Sequence, residues 1–87
     1  MSLLREAPAA DTPTLTRARS VRLVPAAPAL WRIIDGTGRV IGHLQAVPAG
    51  RDLRYRARRF HARSRAFHDI GEFWSADDAV ECVRLAR

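Results

Sequence analysis

Between Leu53 and Arg58, apolar and arginine side chains alternate without a break: Leu53, Tyr55 and Ala57 interleave with Arg54, Arg56 and Arg58. A period of two sends successive side chains to opposite faces of an extended strand, so three apolar groups face one way and three guanidinium groups the other. A helix would scatter both sets around its circumference. The segment is therefore expected to be a half-buried β-strand, and its neighbours in the chain have to supply the sheet around it.

They have the composition for it. Leu30 to Val47 reads as a hairpin, with β-branched and aromatic residues on both sides of Asp35-Gly36-Thr37-Gly38. If those four residues form the loop, Ile34 faces Arg39. Trp31, Ile33, Val40 and Leu44 then share one face, and Arg32, Ile34, Arg39, Ile41 and His43 the other. Pro48-Ala49-Gly50 supplies the next turn. Phe60 breaks the parity of the arginine strand, and a bulge near Arg58 and Arg59 would return it to the core side. His61 to Ser64 turn the chain, Arg65 to Ile70 form the last strand and Gly71 marks its end. Ser20 to Val24 offers an additional edge strand, stopped by Pro25 and Pro28.

A helix is expected over residues 76 to 86. Ser75-Ala76-Asp77-Asp78 fits a capping box with Asp in the place of Glu or Gln, Ser75 accepting the Asp78 amide proton. Trp74 and Ala79 have the spacing of a hydrophobic staple. Ala76, Ala79, Val80 and Val83 form a stripe that can pack on the sheet. The expected fold is α+β: a small antiparallel sheet of three to four strands in meander order, packed by one C-terminal helix. Residues 1–19, rich in Ala, Pro and Thr, read as a flexible basic arm and residues 20–87 as a single domain. Trp31, Tyr55, Phe73, Val80 and Val83 are expected in one core, which a chain of 87 residues can make only thin.

The formal charge is +6, from fifteen Arg and no Lys against nine acids. Its distribution matters more than its total. Residues 51 to 65 hold seven Arg and one Asp, a local +6, while the other eight Arg and eight acids cancel. A concentrated positive field attracts a polyanion, whereas scattered charge serves solubility. Arg54, Arg56 and Arg58 lie about 7 Å apart on one strand face, which Arg32 and Arg39 are expected to share, with Arg63 and Arg65 in the following turn. Guanidinium forks suit phosphate oxygens and guanine edges. Nucleic acid, DNA ahead of RNA, is the expected partner of these seven arginines. The competing reading is a protein-interaction or self-association module, a homo-oligomer included, that pairs through an exposed edge strand.

Other chemistry is poorly supplied. Gly36, Gly38 and Gly42 superficially suggest a dinucleotide loop, but the spacing is one residue too long and a β-branched pair stands where a helix should begin. His43, His61, His68 and Cys82 lack the spacing of a metal site. The carboxylates near His68 form no nucleophile, base and oxyanion set. No enzyme activity, metal or cofactor is expected. One cysteine excludes an internal disulfide, and neither a secretory signal nor a transmembrane run is evident, so a cytoplasmic location is expected.

Gly71, Phe73, Ser75, Asp78 and Ala79, within Gly71-Glu72-Phe73-Trp74-Ser75-Ala76-Asp77-Asp78-Ala79, resemble the strand-to-helix junction of AP2/ERF-type DNA-binding domains and of the related N-terminal domains of integrases. In those families the matched residues form the fold rather than touch DNA. The resemblance implies a three-strand sheet packed on a C-terminal helix, with an Arg- and Trp-bearing face that enters the major groove.

Overall fold

Alternation becomes register in the computed structural model, which describes residues 12–17 and 20–86. Five strands follow one another as a meander, β1 (Arg22–Ala27), β2 (Leu30–Ile34), β3 (Val40–Ala49), β4 (Asp52–His61) and β5 (Ala66–Phe73), and each pairs antiparallel with the next. The helix α1 (Ala76–Leu85) packs across β3, β4 and β5.

The sheet has five strands where the sequence suggested three or four, because Arg22–Ala27 pairs with β2 along its length despite Pro25. An edge strand tolerates a residue without an N–H, and a register shift between Pro25 and Ala27 absorbs it. Pro48 likewise lies inside β3 rather than in a turn. Pairing of β3 with β2 stops at Gln45, so Pro48 sits where that side of the strand is open. The turn itself is Gly50-Arg51, with Gly50 at φ +64 in the first central position of a two-residue hairpin loop.

One face of the sheet makes the core. Trp31, Ile33, Leu44, Ala46 and Ala57 meet Ala76, Ala79, Val80 and Val83, and Tyr55, Ile70 and Phe73 border the cluster. Val80 and Val83 are fully buried, each stabilising the fold by roughly 1.5–3 kcal/mol through removal of its surface from water. Arg59 faces this side and donates from Nε to the Val83 carbonyl at 3.3 Å, tying β4 to α1.

Two bulges revise the expected facing of side chains. Ile33 pairs with Gly42 but Ile34 with Val40, so Ile41 is the extra residue. Ile41 packs on the core, while Val40 moves to the opposite face. Ala57 pairs with Gly71 but Arg58 with Asp69, which makes Ile70 extra on β5. The pairing of β4 with β3 is unbroken, so Phe60 stays on the arginine face rather than returning to the core. Strand β5 continues through Gly71 to Phe73.

Ser75 caps α1 as its sequence implies, its hydroxyl accepting from the Asp78 amide at 3.2 Å. Trp74 is 65% exposed, with the Arg54 guanidinium 4.9 Å from its ring centre. Within the expected arm, residues 1–11, 18 and 19 lie outside the described residues. Residues 12–17 lie on the helix side. Asp77 accepts from the Thr16 and Arg17 amides, Arg17 pairs with Asp78, and Trp31 donates from Nε1 to the Thr12 hydroxyl at 3.1 Å.

Candidate nucleic-acid interface

The face turned away from α1 carries no second layer among the described residues. Strand β4 presents Arg54, Arg56, Arg58 and Phe60 there in succession, because its alternation runs unbroken. Register fixes what stands beside them. Arg32, His43, Arg58 and Asp69 form one row across β2 to β5, and Leu30, Gln45, Arg56 and Glu72 form another.

The arginine row is not bare. Arg56 pairs with Glu72 at 2.9 Å and Arg58 with Asp69 at 2.7 Å, both directly across the β4–β5 ladder. Arg54 reaches the same Glu72 at 3.8 Å. The bulge at Ile70 is the cause. Asp69 and Glu72 are three residues apart and would face opposite ways on a regular strand, and the inserted residue brings both onto the arginine face. Solvent-exposed pairs of this kind contribute only about 0.2–1 kcal/mol each, so a competing phosphate has little to displace.

Of the seven arginines expected to form a site, Arg32, Arg54, Arg56 and Arg58 share the open face. Arg39 belongs to the β2–β3 loop, where Asp35 accepts from its amide at 3.0 Å. Arg63 and Arg65 lie in the β4–β5 turn, exposed, with Arg65 at φ 55. The meander brings these two loops to the same end of the sheet. Arg32, Arg39, Arg63 and Arg65 take no carboxylate partner among the described residues.

Phe60 and Phe67, which the sequence does not place on this face, join His43, which it does. His43 and Phe67 stack with ring centres 3.9 Å apart and 11° between planes, and Phe60 lies tilted at 5.2 Å from Phe67. With Arg32 and Val40 they line an open depression of about 400 Å³. Partial burial, and then the positive fields of Arg32 and Arg58, hold the His43 imidazole below its usual range, which keeps it neutral at pH 7. At the opposite end of the row Trp74 lies under Arg54. An isolated glycine inside a strand pattern, Gly71, was the available signal for the bulge that arranges β5.

The other candidates are dispersed. His61 and His68 stack at 5.3 Å in the β4–β5 hairpin, bridged by the Ser64 hydroxyl, while Cys82 lies half-buried on α1. Gly36 and Gly38 belong to the β2–β3 loop and Gly42 to a strand, against the helix. No helix among the described residues is long and apolar enough to cross a membrane. Comparison with family models, curated proteins and solved structures finds no match to this chain.

Proposed function

We propose that the protein is a nucleic-acid-binding module that works through the open face of its sheet. The observation that carries this reading is the convergence of Arg32, Arg54, Arg56 and Arg58 on one uncovered face in a chain of formal charge +6. Four arginines against Asp69 and Glu72 leave that face an excess of two positive charges, before the loop arginines at its end are added. Phosphate contacts of this kind supply most of the affinity of non-specific nucleic-acid binding.

Edge pairing with a partner chain is less well served. Pro25 and the adjacent register shift interrupt β1, and the Ile70 bulge interrupts β5, both devices that blunt an exposed edge. Among the described residues no constellation for catalysis accompanies the face, and the reading proposed is one of binding.

The test is a salt titration of binding to labelled oligonucleotides, single-stranded and duplex, with wild type and the Arg54→Ala/Arg56→Ala/Arg58→Ala variant. Each phosphate neutralised contributes about 0.9 to the log-log slope on duplex and about 0.7 on single strands. The triple variant is expected to bind more weakly, with a slope shallower by about 2 to 3. Equal slopes for the two proteins would remove the arginine row from the interface.

A further inference from the structure

The face has a shape and a distribution of rings as well as a charge, and together they select among nucleic acids. Five strands at about 4.8 Å spacing make a surface roughly 19 Å wide. The major groove of a duplex, about 12 Å wide, admits a helix or a two-stranded ribbon. A surface of this breadth lies against a duplex rather than in its groove, and its rings then meet sugar and phosphate instead of bases. Duplex bases also have no exposed π-face to offer.

An unpaired strand offers both. Strand β4 carries Arg54, Arg56 and Arg58 in line, with Trp74 beside the first, His43 beside the last, and Phe60 and Phe67 beyond it. Arg54 and Phe60 are six residues apart, about 20 Å along an extended strand. The arrangement is a basic track with an aromatic platform at each end. Trp74 is an exposed indole beside the Arg54 guanidinium, and Val40, beside Phe60 and Phe67, is also exposed. The arginines without carboxylate partners, Arg39, Arg63 and Arg65, stand at the Phe67 end, where a strand leaving the platform would carry its next phosphates.

We infer that the open face takes an unpaired nucleic-acid strand laid along β4, with one base stacked on the Phe60–Phe67–His43 cluster and another on Trp74. The inference rests on the nucleic-acid reading above and narrows it to single strands. Stacking on aromatic side chains is tolerant of sequence because every base has a π-face, and it combines with a basic track in this way. The neutral His43 backs Phe67 with an uncharged ring, so affinity at this platform comes from stacking rather than from an added cation.

The experiment measures binding of oligo(dT) and oligo(rU), and of a duplex of equal length, to the whole chain by anisotropy, and follows tryptophan fluorescence during the titration. Trp31 is buried and Trp74 is exposed, so quenching by a stacked base reports Trp74. Wild type is expected to bind a single strand at least about tenfold more tightly than the duplex. Phe67→Leu keeps the apolar volume and removes the ring; it should weaken single-strand binding by about five- to 150-fold, the loss of one stacked base, with the salt slope unchanged. Trp74→Ala, at an exposed site that the fold does not need, should weaken binding similarly and abolish the quench. Urea midpoints check that each variant is folded, and Trp74→Ala carries the test if Phe67→Leu is not.

Duplex binding as tight as single-strand binding, with both variants unchanged, would overturn the inference and leave the nucleic-acid reading intact. An absence of binding to every oligonucleotide at low salt would overturn both. Dimerisation lost in Phe67→Leu, with no oligonucleotide bound, would assign the face to a second copy of the chain and also overturn both.

Discussion

Gly42 has no side chain because β3, β4 and α1 leave no room for one. A Cβ built there would lie 2.3 Å from the Arg58 carbonyl oxygen and 2.7 Å from Val83 Cγ1. The first obstacle is backbone and the second is a fully buried side chain, so neither can swing aside. Restoring ordinary contact of at least 3.4 Å requires an opening of about 1 Å. In Gly42→Ala, overpacking costs about 1–3 kcal/mol, and a disturbed β3–β4 hydrogen bond about 0.5–1.5 kcal/mol. Alanine's better backbone entropy in a strand offsets about 0.5–1 kcal/mol. The net loss is about 0.5–4 kcal/mol, centred near 2, against a total stability of about 4–13 kcal/mol for a chain of this length. Urea unfolding followed by tryptophan fluorescence and far-UV circular dichroism should show a lower midpoint, and a loss of about 2 kcal/mol should lower the thermal midpoint by about 8–16 °C. Gly36→Ala is the control: its Cβ would have only an ordinary 3.6 Å contact with the Ser20 carbonyl oxygen, and no loss is expected. A Gly42→Ala midpoint equal to or above wild type would refute the close approach of helix and sheet.

Ser75→Ala should lower stability by about 0.5–2 kcal/mol by leaving the Asp78 amide uncapped, and an unchanged urea midpoint would show that the cap lies elsewhere. In the β2–β3 loop the Thr37 hydroxyl, followed by the Arg39 amide, holds the Asp35 carboxyl below its ordinary value of 3.8. Its contribution is therefore complete above pH 3.8 and lost as pH falls through the depressed folded value, and Asp35→Asn should flatten that part of the acid limb of a stability profile. His43 should titrate by NMR below its ordinary 6.5, because burial first, and then Arg32 and Arg58, disfavour the imidazolium. Its coupling to folding is absent above pH 6.5 and reduces stability as pH falls from there towards the folded value. Arg32→Ala should raise the His43 midpoint part of the way.

The arginine strand, the Ser75 cap and the stripe of α1 were readable because each depends on short-range spacing, and the structure keeps all three. The two bulges were not. An inserted residue reverses the facing of everything beyond it and leaves no mark in residue type at Ile41, which is why Val40 and Ile41 exchange their expected faces. At Ile70 the neighbouring Gly71 looked like the end of a strand when it belongs to an irregularity within one. That single bulge hides the most consequential feature of the site, the placing of Asp69 and Glu72 among the arginines. The charge count over residues 51 to 65 leaves both acids out. A bulge near Arg58 and Arg59 would carry Phe60 to the core; the uninterrupted register with β3 holds it on the open face beside Phe67. Pro25 and Pro48 looked like strand terminators because their tolerance depends on where the sheet has an open side.

The claim that this face holds phosphates is tested most directly by removing the carboxylates that compete for its arginines. Asp69→Asn/Glu72→Gln keeps shape and hydrogen-bonding capacity while releasing Arg56 and Arg58 from their 2.9 Å and 2.7 Å pairs. Measured by anisotropy on one labelled oligonucleotide over a series of salt concentrations, the double variant should bind more tightly than wild type at every salt. Because Arg56 and Arg58 already meet phosphate in wild type, the log-log slope should stay nearly the same while the affinity rises. Urea midpoints check that the double variant is folded. Affinity equal to wild type in a folded double variant would contradict the account and place the nucleic acid, if it binds at all, on another surface.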